Sequence, residues 1–188
     1  MALIITCNFT IAQFVFKNDE IEKSNPQLAQ RFNELDSLFL ISSVNEFEFR
    51  FWAISEGLDS LRLFVLVKKN NKLSARLFLS NRWSSKNAKE IYISNERLPQ
   101  LWAKLNQNQI LKLPEYSLLK TKEGKIPDIK FYDGNNYRFQ FFSKNNKKSY
   151  DYFCPRAYGE AYSYITEFKK AQKIIELIFA FCGLGLKC

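Results

Sequence analysis

Glu46-Phe47-Glu48-Phe49-Arg50-Phe51 alternates charge and aromatic ring. That period of two predicts a strand with Phe47, Phe49 and Phe51 inward and a solvated, charge-balanced outer face. Leu61 to Val67 and Leu73 to Leu79 predict two more strands, joined through Lys68-Lys69-Asn70-Asn71-Lys72, where asparagine tolerates the positive φ of a tight hairpin. Glu90 to Ile93 predicts a short fourth strand. Further on, Ile129 to Tyr132 and Tyr137 to Phe142 flank the turn signal Asp133-Gly134-Asn135-Asn136. Ser149 to Cys154 follows a Lys/Asn-rich connection from Lys144 to Lys148, which predicts a second, three-stranded meander.

The apolar period lengthens to that of a helix in three places. Asn25-Pro26 supplies a cap and a first-turn proline, and Leu28, Phe32, Leu35 and Phe39 then fall on one face suited to covering a sheet. A second helix starts near Leu98-Pro99 with Leu101, Trp102 and Leu105, and Pro114 limits its end. Glu160 to Cys182 predicts the longest helix, with a stripe of Ile165, Phe168, Ile175, Ile178, Phe179 and Cys182. Strands in runs, separated by helices without regular βαβ alternation, define the expected class as α+β. The expectation is a mainly antiparallel sheet in two meanders, packed with about three helices in a single domain.

Composition supports that picture. The chain has 188 residues, 46% of them hydrophobic, with only six Gly and five Pro, enough for a sizeable core and without a linker-like stretch. Residues 1–12 read as the back half of a truncated secretory signal: the apolar run Ala2 to Cys7 leads to Thr10-Ile11-Ala12, a small-x-Ala cleavage pattern. No Lys or Arg precedes the run, so export requires a start upstream of Met1; a first strand and a cytoplasmic protein are the alternative. Residues 13–188 form the expected α+β domain. No segment holds the roughly 20 apolar residues of a spanning helix.

The formal net charge is +9, and it is uneven. Residues 1–96 carry 12 Lys+Arg against 11 Asp+Glu, whereas residues 97–188 carry 16 against 8. A basic field attracts phosphates and acidic surfaces. The cations are 20 Lys and 8 Arg, and Lys lacks the planar fork that reads phosphates and bases bidentately. Both meanders carry a Lys-Asn-Asn-Lys tip, at 69–72 and 144–147, an echo that turn geometry and solubility account for.

The chain has no His, which removes Ser-His-Asp and Cys-His nucleophile pairs and imidazole acid/base chemistry. It also lacks a Gly-x-x-x-x-Gly-Lys phosphate loop, and its four Cys include no Cys-x-x-Cys pair, so no motif implies a cofactor or structural zinc. Asp128 followed by Glu167-Phe168-Lys169 resembles the Asp…Glu-x-Lys arrangement of a large nuclease family, in which two carboxylates hold Mg²⁺. There the Glu-x-Lys lies on a strand, whereas here it falls in an expected helix, where positions i and i+2 diverge. Glu46 and Glu48 share a strand face, but Arg50 beside them favours a neutralised surface over a catalytic pair. Cys182 and Cys188, separated by a glycine-containing stretch, are candidates for a small disulfide loop, with buried or frayed thiols as the alternative.

The strongest candidate for a binding surface is the aromatic cluster around Cys154-Pro155-Arg156. Its members are Tyr150, Tyr152, Tyr158 and Tyr162 with Arg138 and Arg156, since tyrosine combines a flat contact face with a polar tip. Core packing at a strand-to-helix junction is the competing reading. The leading expectation is a non-enzymatic, exported protein that binds a protein or small ligand through a sheet face or this C-terminal junction. The alternative is a cytoplasmic module that binds nucleic acid or an acidic protein through its basic C-terminal half, and a metal-dependent nuclease is a distant third.

Overall fold

The computed structural model describes residues 46–55, 60–81, 88–128, 134–143 and 146–185. The expected signal at 1–12, the helix over 25–39, the strand at 129–132, and Lys144 and Cys188 lie outside the described residues.

Among the described residues six strands form one antiparallel sheet: β1 (Phe47–Ser55), β2 (Ser60–Lys69), β3 (Lys72–Asn81), β4 (Lys89–Ile91), β5 (Asn135–Ser143) and β6 (Asn146–Phe153), in the order β4-β3-β2-β1-β5-β6. The two halves of the chain merge because β1 pairs on one side with β2 and on the other with β5, with Phe51 opposite both Phe64 and Phe139. The fold class is α+β, as the order of elements implied. The β2–β3 hairpin closes through Asn70 and Asn71 at φ of 51° and 58°, the left-handed backbone that a two-residue turn requires.

Alternation gives the sheet two unlike faces. On the first, Phe47, Phe49, Phe51, Phe64, Leu66, Phe139 and Phe141 are buried beneath the helices. These are α1 (Leu98–Gln107), α2 (Pro155–Ala161) and α3 (Thr166–Phe181). From α1 come Leu98, Leu101, Trp102 and Leu105, and from α3 Phe168, Ala171, Ile175 and Ile178, each set at the spacing that points side chains to one stripe. Burying one such large apolar side chain stabilises the fold by about 1.5–3 kcal/mol.

The second face is part apolar, part ionic. Trp52, Ile54, Leu61, Leu63, Val65 and Phe78 cluster there. Beside them Glu48 and Arg50 pair at 2.5 Å, Arg50 lies over the Phe142 ring, and Trp52 Nε1 donates to Gln140 at 2.7 Å. The expected solvated outer face of β1 is corrected by this burial: Glu48 and Arg50 are both shielded. The two charges neutralise each other where their face of the sheet is closed to water.

The expected helix over Glu160 to Cys182 is two helices. Tyr162 leaves helical geometry at φ −117°, ψ 58°, and Ile165 N–H bonds back to Tyr162 O before α3 begins. The break frees Tyr162 and Tyr164 to bond elsewhere, whereas a continuous helix would have held both rings on its surface. No helix among the described residues is long and apolar enough to cross a membrane, a statement that does not bear on β-barrels.

Candidate functional site

The antiparallel register sorts polar side chains to the two ends of the sheet. β6 runs from Asn146 at one end to Phe153 at the other, and the C-terminal junction follows directly after Phe153.

At the junction end the expected site residues separate. Tyr150 and Tyr152 point to the helical face and are 1% exposed. Arg138 points to the opposite face, where its guanidinium grips Asp151 through two bonds of 2.7 Å. Arg156 is exposed on α2 and reaches only Glu160 at 3.3 Å. Tyr158 is buried between Tyr116, Phe168 and Tyr162. The structure therefore brings the four tyrosines into one aromatic run and leaves both arginines outside it. Cys182 keeps a thiol, which burial pushes up to about 12.

The tyrosine hydroxyls fasten the long connection after α1. Tyr150 donates to Ile110 O, Tyr152 to Pro114 O at 2.9 Å, Tyr116 to Pro127 O and Tyr162 to Asp128 O at 3.0 Å. Tyr164 accepts from Lys122 N–H, and the Lys122 ammonium lies 5.0 Å over its ring. Burial pushes the Tyr150 and Tyr152 hydroxyls well above their ordinary value near 10, and burial with the neighbouring Tyr158 does the same to Tyr116. They are locked donors, not proton-transfer groups.

The opposite end is different. The β2–β3 and β5–β6 tips both lie beside the start of β1, since Phe47 pairs with Lys68 and Glu48 with Phe142. Glu46 ties them together: its carboxylate accepts Asn70 N–H at 2.9 Å and its carbonyl accepts the Ser143 hydroxyl at 3.4 Å. Lys69, Lys72 and Lys147 are exposed on the tips, and Lys112 is exposed on the neighbouring 3-10 turn, Ile110–Lys112. None of these four makes an ion pair with a described residue. Lys68 is buried. Lys148 turns inward to donate to Leu111 O and Leu113 O, and burial pulls its pKa down against the opposing pull of Glu115.

No family model matches the chain, and no curated protein matches its sequence. The functional reading therefore rests on these two ends. Among the described residues no three Asp, Glu or Cys side chains gather in a metal-holding group, and Asp128 and Glu167 lie on separate elements, the connection and α3. Sequence reasoning noticed the two Lys-Asn-Asn-Lys tips but not that pairing of β1 with both β2 and β5 sets them side by side. It missed Tyr116, whose ring sits between Tyr158 and Phe168. The only sequence signal for Tyr116 was its place just after Pro114.

Proposed function

We propose that this protein is a non-enzymatic binding module that engages a polyanionic partner through the lysine-tipped end of its sheet. The observation that carries the reading is the set of exposed lysines without counter-ions, Lys69, Lys72, Lys112 and Lys147, gathered from three separate segments. Surface cations scattered over a protein serve solubility, but cations of one sign at one end also concentrate an anionic partner there. Among the described arginines, Arg50, Arg76, Arg138 and Arg156 are each paired with an acid, and Arg62 lies over the Phe179 ring.

The test is titration of the full chain with inorganic polyphosphate at rising salt. Expected is saturable binding that weakens steeply with salt and falls about tenfold or more in a K69Q/K72Q/K147Q variant. Binding that is undetectable, or indifferent to salt and to that variant, counts against the reading. Turnover of a phosphodiester or glycoside that a single carboxylate substitution abolishes would replace it with an enzyme.

A second reading is favoured by exposed apolar groups at the other end. Leu118, Ile126 and Tyr164 are three of the five exposed large hydrophobic side chains among the described residues, and all three lie on or against the tyrosine-fastened connection. Grouped exposure of this kind suits a protein partner. L118S/I126S would then release that partner without altering polyphosphate binding.

A further inference from the structure

The two tips carry more information than their charge. Lys69 on β2 and Lys147 on β6 are separated by three strand spacings, which is roughly 14 Å at about 4.8 Å per strand. The major groove of a B-form duplex is about 12 Å wide. A flexible lysine stem at each tip adjusts a mismatch of that size, so one tip can reach the phosphates on each lip of the groove.

The side chains at the tips also exclude other ways of holding an anion. The β2–β3 tip is Lys69, Asn70, Asn71 and Lys72, and the β5–β6 hairpin continues into Asn146 and Lys147. The exposed large hydrophobic residues, Ile91, Tyr92, Leu118, Ile126 and Tyr164, all belong to the β4 edge, the connection and the α2–α3 junction. The Phe142 ring beside the tips is half-buried and lies under the Arg50 guanidinium at 4.4 Å and the Lys147 ammonium at 5.5 Å, so the described tip residues offer no exposed ring on which an unpaired base can stack and no exposed apolar side chain to enter a lipid surface. Nor do they offer a guanidinium fork to read a base edge, and lysine meets phosphate as a point charge. The Asn70 and Asn71 turn is held open by Glu46, so the two tips present a preset spacing.

We infer that the polyanion is the phosphate backbone of a B-form DNA duplex, straddled by the Lys69/Lys72 tip and the Lys147 tip without regard to base sequence. This rests on the polyanion reading above and goes further by naming the geometry of the partner.

The experiment is fluorescence anisotropy with the full chain, using a labelled duplex in two unrelated sequences and a single strand of equal length. Unlabelled inorganic polyphosphate and vesicles of anionic phospholipid serve as competitors. Expected is binding of both duplexes with equal affinity, several-fold tighter than the single strand, with a log–log salt slope of about −3 for three to four lysine contacts. K69Q/K72Q/K147Q should flatten that slope by about 2–3, whereas E46Q, which removes the acid that binds the β2–β3 turn, should tighten binding several-fold. Equal or tighter binding of the single strand, preference for one duplex sequence, or stronger competition by vesicles than by polyphosphate overturns the duplex inference. Polyphosphate binding without duplex preference overturns it while leaving the polyanion reading intact. Binding of neither overturns both.

Discussion

The two ends of the sheet hold similar residues and put them to opposite use. At the junction end, aromatic rings and an arginine are drawn into the fold: Tyr150 and Tyr152 are sealed over by the connection they fasten, and Arg138 is closed on Asp151. At the tip end, Lys69, Lys72, Lys112 and Lys147 project without an acidic partner among the described residues. Composition is a poor guide to which aromatic or basic residues are available for binding. What separates the ends is strand register, which puts Tyr150 and Tyr152 under the helices and the Asn70–Asn71 turn and Lys147 in solvent.

If the junction is structural, breaking it should cost stability and leave polyanion binding alone. The largest effect is expected from Arg138→Ala, which strips Asp151 of a bidentate partner inside the protein. Denaturant unfolding should show a loss of about 3–5 kcal/mol. An effect below 1 kcal/mol, or lost polyphosphate affinity in protein that is still folded, would make Arg138 a binding residue after all.

The buried hydroxyls add a pH dependence of known sign. Because Tyr150 and Tyr152 are raised in the folded state, the unfolded chain releases their protons first, so their contribution is intact below about pH 10 and lost as pH climbs past it. Each withheld proton is worth about 1.4 kcal/mol per pH unit, about 3 for the two together. Lys148 acts the other way, with stability rising between its lowered pKa and its ordinary 10.5. Tyrosinate absorbance should therefore stay short of the full amplitude of nine tyrosines until the fold is lost. Full amplitude with native circular dichroism would contradict the sealed junction.

Gly134→Ala tests the same end through packing. A Cβ there would press on Cys154 Sγ and stand 2.6 Å from the Phe153 ring, so unfolding free energy should drop by about 1–3 kcal/mol. A neutral result would mean the turn into α2 yields freely. The smallest change belongs to Arg156→Ala, since its pair with Glu160 is mostly in water. Thermal unfolding should shift by no more than about 0.5 kcal/mol.

Much of the sheet was legible because alternation is a local signal: β1, β2, β3 and β5 fall where the pattern of Phe, Leu and Val positions put them. The Asn-Asn turn of the first hairpin was legible for the same reason, through the positive φ it demands. Two features were not. The Tyr162 break between α2 and α3 depends on a hydroxyl bond to Asp128, 34 residues away, and no helical periodicity encodes a distant partner. The burial of Glu48 and Arg50 depends on what closes their face of the sheet to water, which the alternation within the strand does not encode. The site was half legible for a related reason. The tyrosine run and the repeated tips were visible as composition, but their exposure was decided by pairing between the two halves of the chain.

Lysines exchanged for glutamine at one end and then at the other, compared for polyphosphate affinity in the full chain at fixed salt, give the most direct test. The tip set, Lys69, Lys72 and Lys147, should lose most of the binding. The junction set, Lys120, Lys122 and Lys125, should keep it within about twofold, since those lysines lie on the connection at the other end of the sheet, beyond a screening length from the tips. Equal losses from the two sets, or a larger loss from the junction set, would contradict the assignment of binding to the lysine-tipped end.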